Sequence, residues 1–202
     1  MTGACLATWY GYGSAVRSVA VRSDSQQLAS AHQDGPIRLW HPVTGACLTT
    51  LREHNGLVGA IAWHPEGRLL ASASYDKTVK LWDAQTSRCL RTFEDHRNLV
   101  FAVIWHPDGQ RLASASVDGT IKIWHIDADV CQQTLQDDRL VAAIAWEPSG
   151  QHIVSGVQGG EIRVWDVNRG ECIRSFQGRA NGIFAMAFSP VPVATSVGRV
   201  LA

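Results

Sequence analysis

The 202 residues carry no surplus of either charge: Lys and Arg number 18, Asp and Glu number 18, and the formal net charge at pH 7 is zero. Without an overall field there is nothing to gather nucleic acid or an anionic membrane from a distance, and neither is expected as a partner. No apolar run reaches the roughly 18 residues of a membrane-spanning helix. The opening stretch MTGACLATWYGYG lacks the basic start and apolar core of a secretory leader, so a cytoplasmic location is expected. Close cysteine pairs of the Cys-x-x-Cys kind are missing, and each of the 5 cysteines stands alone in its segment, which argues against zinc. There is no P-loop and no dinucleotide-binding glycine pattern; the GYG at Gly11 to Gly13 is too short and runs into a strand pattern. No metal and no cofactor is expected.

What the chain does have is a long period. The pentapeptide TGACL occurs at Thr2 to Leu6 and again at Thr44 to Leu48. Cys5, Cys47, Cys89, Cys131 and Cys172 follow with gaps of 42, 42, 42 and 41. Trp40, Trp82, Trp124 and Trp165 keep the same beat, and so do Trp63, Trp105 and Trp146, with Phe188 next after another 42. A period of this length marks a repeat whose units stack to bury a shared core. In that setting a recurring lone cysteine is a small, partly buried residue at one fixed position.

Within a unit the pattern is strand and turn, as LVGAIAWHPEGRLLASASYDKTVKLWDAQTSRCLRTF shows. A first strand from about Val58 to Trp63 ends in HPEG, whose Pro and Gly set a turn that recurs as HPDG and EPSG. The second strand is LLASAS, small on both faces as a strand crowded between neighbouring sheets must be. The third is VKLW and the fourth RCLRTF, which places Cys89 on the last, outermost strand. Residues 1–202 read as one region, with an outer strand over 1–12 and units at roughly 13–54, 55–96, 97–137 and 138–179, then a partial unit at 180–202.

The segments LASASYDKTVKLWD and LASASVDGTIKIWH resemble the WD-repeat β-propeller family, over a stretch from Thr2 to about Ser189. The resemblance implies an all-β propeller of four-stranded antiparallel blades, with four full units and partial units at both ends, an incomplete or open ring. It also implies a buried hydrogen-bonded network in each blade. Two units match fully: His54, Ser72 or Ser74, Asp76 and Trp82, then His96, Ser114 or Ser116, Asp118 and Trp124. Indole, hydroxyl, imidazole and carboxylate can satisfy one another there, where each alone would be costly to bury. Two units depart. The first keeps Ser30, Asp34 and Trp40 but has Tyr12 where the His belongs; the fourth keeps Ser155 and Trp165 but has Asp137 for the His and Gly159 for the Asp. These two blades are expected to be less rigid.

Ser, His and Asp are also the parts of a hydrolytic triad. Here the set occurs twice at repeat spacing, as scaffolding does, and no G-x-S-x-G elbow accompanies it, so no catalytic residue is expected. Function then rests on the surface. In the resembled family the top-face contacts come from the loop into the first strand and from the residue before the turn Asp. By position these are Gln33, then Asn55, Leu57 and Tyr75, then Arg97, Leu99 and Val117, then Asp138, Leu140 and Gln158. The expected function is a non-catalytic protein or peptide interaction scaffold or sensor module in a larger regulatory or signalling protein, since the mutual similarity of the units is like that of tandem arrays attached to bacterial signalling NTPases or kinases. A propeller enzyme or small-ligand binder at the channel mouth, and a nucleic-acid-binding face, stay open as alternatives. The unit count predicts a fragment or an aberrant terminus whose unpaired end blades self-associate.

Overall fold

The structure, a computed structural model, describes residues 8, 13–178, 182–188 and 200–201. Alternating apolar and small polar residues, broken by Gly, Pro and Asp turns, give strands throughout. The first sheet holds β1 (Val16–Val21), β2 (Leu28–His32), β3 (Ile37–Trp40) and β4 (Cys47–Leu51). The second holds β5 (Val58–Trp63), β6 (Leu69–Ser74), β7 (Val79–Asp83) and β8 (Arg88–Phe93). The third holds β9 (Val100–Trp105), β10 (Arg111–Ser116), β11 (Thr120–His125) and β12 (Cys131–Gln136). The fourth holds β13 (Val141–Trp146), β14 (His152–Val157), β15 (Glu161–Asp166) and β16 (Glu171–Gln177). In each, strands pair antiparallel in chain order, as the propeller resemblance implies. A short pair, β17 (Ala187–Phe188) with β18 (Val200–Leu201), follows.

Successive sheets pack through their first strands: β1 against β5, β5 against β9, β9 against β13, and β13 against β17. Three apolar cores fill the joints, and all three have the same make-up. Between the first two sheets, Ala29, Ala31, Ile37, Leu39 and Leu51 meet Val58, Ile61, Trp63, Leu70 and Trp82. One sheet thus offers a face of small and aliphatic residues and the next offers a face with two tryptophans. The other joints repeat this, with Phe93 facing Trp105 and Trp124, and Leu135 facing Trp146 and Trp165. A strand that must serve two such joints has to be small on both sides, which is why β6 is LLASAS and buried along its whole length.

Both tryptophan series now have a place. Trp63 and Trp105 on the first strands donate across the joint, to the carbonyls of Ala20 at 3.1 Å and Ala62 at 2.9 Å. The third-strand series stays within its own sheet, as described below. The cysteines stand first or second in the fourth strands, opposite those tryptophans, at a point where the ladder slips register. There the bulge exposes a carbonyl, and each thiol donates to the carbonyl two residues on: Cys47 at 3.6 Å, Cys89 at 3.3 Å, Cys131 at 3.0 Å and Cys172 at 3.3 Å. Burial pushes the Cys89 thiol up, so it stays protonated and able to donate. Cys5 lies outside the described residues.

One turn position carries strain. The residue after the turn Asp is left-handed, and it is Gly35, Gly119 or Gly160 in three sheets but Lys77, with φ 74°, in the second. A side chain costs about 1 kcal/mol or more in that region, offset in part by the backbone entropy of glycine. Lys77→Gly is therefore expected to raise stability by about 0.5–1 kcal/mol in urea melts. An unchanged or lower midpoint would show that the Lys77 side chain contributes a compensating contact.

Candidate functional site

In the second and third sheets four side chains form one relay. The Trp82 indole N–H donates to Ser72 Oγ at 2.8 Å, Ser72 Oγ lies 2.7 Å from His54 Nε2, and His54 Nδ1 lies 2.7 Å from Asp76 Oδ2. The third sheet repeats it with Trp124, Ser114, His96 and Asp118 at 2.8, 2.8 and 3.0 Å. With the serine hydroxyl accepting from the indole and donating to Nε2, the ring proton of each His sits on Nδ1 and faces the carboxylate. The sequence left a choice of two serines, and the geometry decides it. Ser74 and Ser116 bond instead to the entry loop, donating to the carbonyls of Leu57 at 2.9 Å and Asn98 at 3.1 Å.

The order Ser–His–Asp is that of a hydrolytic triad, yet both Ser72 and Ser114 are fully buried and hold an indole N–H. A substrate carbonyl has no approach to either oxygen. What the relay does is pin the entry loop. Asp76 and Asp118 also accept the backbone N–H of Asn55 at 3.0 Å and Arg97 at 2.8 Å, and the Thr78 and Thr120 hydroxyls at 2.7 and 2.6 Å. Burial pushes both carboxyls up, but these donors outweigh it and hold them well below the usual carboxylate range. Burial also pushes His96 down, against the pull of Asp118.

Lowered values in the fold mean that stability is fully present above the ordinary values, 6.5 for His96 and 3.8 for Asp76 and Asp118, and is lost as pH falls below each. The melting temperature is expected to fall in two steps on acidification, first below about 6.5 and more steeply below about 4. Thermal melts across that range test it, and a melting temperature that rises on acidification would contradict it.

The two departing sheets solve the same problem with other residues. In the first, Trp40 donates to Ser30 Oγ at 2.7 Å, and the imidazole comes from His32, whose Nε2 lies 2.8 Å from Ser30 Oγ. His32 stands on the strand at the Ser74 position, which the sequence reading missed; the signal was a histidine two residues past the network serine, on the same strand face. Tyr12 lies outside the described residues. In the fourth sheet Trp165 still donates to Ser155 Oγ at 2.9 Å. Asp137 occupies the histidine position, fully buried, with Arg163 at 2.9 Å and the Arg139 N–H at 3.0 Å on one oxygen. Its other oxygen has no partner among the described residues. Burial, with Asp138 adding to it, pushes Asp137 above the usual carboxylate range despite Arg163.

The relays hold the positions proposed from the resemblance at one end of the sheets. Each residue before the turn donates its backbone N–H to the entry loop: Gln33 to Ala15 at 2.9 Å, Tyr75 to Leu57 at 2.8 Å, Val117 to Leu99 at 3.0 Å and Gln158 to Leu140 at 3.0 Å. Gln33, Asn55, Arg97, Asp138 and Gln158 are exposed, and Leu57, Tyr75, Leu99, Val117 and Leu140 are half-buried. The Tyr75 ring leans on Phe101 of the next sheet, centroids 5.2 Å apart. At the other end of the sheets two histidines staple neighbours together, His64 Nε2 donating to the Gly109 carbonyl at 2.9 Å and His106 Nε2 to that of Gly150 at 3.1 Å. Among the described residues no cluster of three or more His, Cys, Asp or Glu is placed to hold a metal.

Compared with known proteins, the chain matches the family described as IFT122 first beta-propeller over residues 3–202. No individual curated protein matches it. Nearly the whole length is covered by that match, and four consecutive antiparallel sheets, each with a tryptophan at or next to the end of its third strand, agree with it, so the chain belongs to the IFT122 first beta-propeller family of WD-repeat propellers.

Proposed function

We propose that the chain is a non-catalytic interaction scaffold or sensor module of a larger regulatory or signalling protein, and that a protein or peptide docks on the face built by the entry loops. WD-repeat propellers are in general protein-interaction scaffolds, and this chain is one of that kind. The observation that carries the finer reading is the set of four equivalent backbone bonds that hold Gln33, Tyr75, Val117 and Gln158 beside their entry loops. Loops already fixed lose little entropy when a partner arrives. Tyr75, braced by Phe101, and the exposed Arg97 are the residue types that dominate binding energy at interfaces. Nucleic acid is not proposed as a partner, and a cytoplasmic setting is; among the described residues no helix is long and apolar enough to cross a membrane.

The test uses proteins captured by the purified chain and identified by mass spectrometry, with affinities then measured by calorimetry. Tyr75→Ala combined with Arg97→Ala is expected to weaken binding by about 2 kcal/mol or more while moving stability by less than about 0.5 kcal/mol. Arg91→Ala, on the outer strand where Arg91 pairs with Asp129, serves as the rim control. Losses from Arg91→Ala with none from the double variant would place the site on the rim.

A further inference from the structure

The turn of the second sheet holds a strained residue in the open. The position after the turn Asp is glycine in the other three sheets, whereas here it is Lys77, with φ 74° and exposed to solvent. Strain kept at an exposed side chain points to a use for that side chain outside the fold. The repeat shows where it stands. In the first sheet a Cβ on Gly35 would lie 3.2 Å from the carbonyl oxygen of Gly56, and in the third a Cβ on Gly119 would lie 2.9 Å from that of Asp137 and 3.3 Å from that of Arg139. Each of these turns sits against the loop that enters the next sheet, and for Lys77 that loop is His96 to Leu99, which carries the exposed Arg97. The Tyr75 ring, on the same turn, already crosses to Phe101 of the third sheet. Two cations and an aromatic ring therefore gather where the second and third sheets meet.

The charges at this joint are uncompensated, unlike those at its neighbours. Among the described residues neither Lys77 nor Arg97 has a carboxylate partner. Asp76 and Asp118 face inward to His54 and His96, and Asp95 is held by Lys122 at 2.6 Å. At the first joint the same places hold Gly35 and the neutral Asn55, and at the third they hold Gly119 and Asp138, whose carboxylate Arg163 takes at 2.9 Å. Resting on the docking face argued above, we propose that its partner is an acidic peptide whose carboxylates bind Lys77 and Arg97 across the joint between the second and third sheets, beside the Tyr75 ring. The planar fork of Arg97 suits a carboxylate held by two parallel bonds, and Lys77 adds a point charge. Carboxylate rather than phosphate follows from the backbone, because a phosphate cradle draws on free N–H groups. Here they are already taken: the Lys77 N–H donates to the Ser74 carbonyl at 3.2 Å, the Arg97 N–H to Asp118 at 2.8 Å and the Leu99 N–H to the Asn98 side chain at 2.9 Å.

The probe is a short fluorescein-labelled peptide of Glu, Ser and Leu, compared with one in which Lys replaces Glu and one in which phosphoserine replaces it. Binding is read by anisotropy and located by amide shifts in NMR spectra. The Glu peptide is expected to bind with an affinity that falls as salt is raised, and to move the signals of Tyr75, Lys77 and Arg97. Lys77→Gly is expected to weaken it about fivefold, and Lys77→Gly combined with Arg97→Gln more than about tenfold. The single variant is the sharper one, because it releases strain and is expected to melt higher, so a loss of binding owes nothing to unfolding. Undiminished binding by Lys77→Gly overturns the proposal, as does equal binding of the Lys peptide. A phosphoserine peptide that binds more than about tenfold tighter than the Glu peptide overturns it in favour of a phosphate site. The broader docking reading fails separately. A captured partner that depends on Tyr75 and Arg97 but binds Lys77→Gly and the unaltered chain alike, at low salt and high, keeps the face and removes the acidic partner, whereas Glu-peptide shifts confined to the rim around Arg91 remove both.

Discussion

Asp118→Ala is expected to cost about 2–3 kcal/mol in urea melts, and Asp34→Ala less than about 0.5 kcal/mol. The two residues hold the same place in their units but not the same role. Asp118 is 7% exposed and accepts from His96, the Arg97 N–H, the Thr120 N–H and the Thr120 hydroxyl. Removing it strands several buried donors at once, each of which keeps its desolvation penalty and loses its acceptor. Asp34 is 46% exposed and reaches Arg38 at 3.7 Å, and its sheet has built the network around His32 instead. Equal, small shifts in the two variants would mean that the relay contributes little to stability.

The second large effect is expected at Gly150. Gly150→Ala should lose about 3 kcal/mol, against about 1 kcal/mol for Gly170→Ala. Both glycines are left-handed, with φ 75° and 71°, so both variants carry the same backbone strain. They differ in what a methyl group would meet. At Gly170 the nearest atom is Gln133 Nε2 at 3.2 Å, the tip of a flexible chain. At Gly150 it is His106 Nε2 at 2.1 Å, in a ring held edge-on to Trp146 with centroids 4.6 Å apart. Making room breaks the staple to the Gly150 carbonyl and disturbs the joint behind it. If the two variants lose the same amount, the histidine staple yields freely and does not hold the sheets together.

The architecture was legible because a 42-residue beat survives in residues that each joint needs, above all the two tryptophan series. The relays of the second and third sheets were legible for a related reason: all four residue types stand at their places in both. Strand periodicity could not separate Ser72 from Ser74, since residues two apart share a face, and the separation came from which hydroxyl meets the indole and which meets the loop. His64 and His106 were read as turn residues. Their acceptors lie 45 and 44 residues on, in the neighbouring sheet, and no pattern within one unit shows that contact. Asp137 was seen as a substitution, but its pairing with Arg163 was not. The clue was an arginine where the two complete units have Lys80 and Lys122.

The sameness of the joints also bears on how such a chain changes over generations. Because every sheet offers one kind of face forward and the other kind back, a duplication or loss of one whole unit joins an aliphatic face to a tryptophan-type face again. Slips of a single residue are confined elsewhere. The one unit of 41 is short by a residue between Leu135 and Asp137, at the very end of the β12 ladder, where Gln136 still pairs with Thr120, and beside the spot where the histidine of the relay would have stood. Heredity can therefore lengthen or shorten this array in whole sheets without redesigning a core, while a one-residue slip at the end of a fourth strand costs a relay and obliges a new pairing such as Asp137 with Arg163.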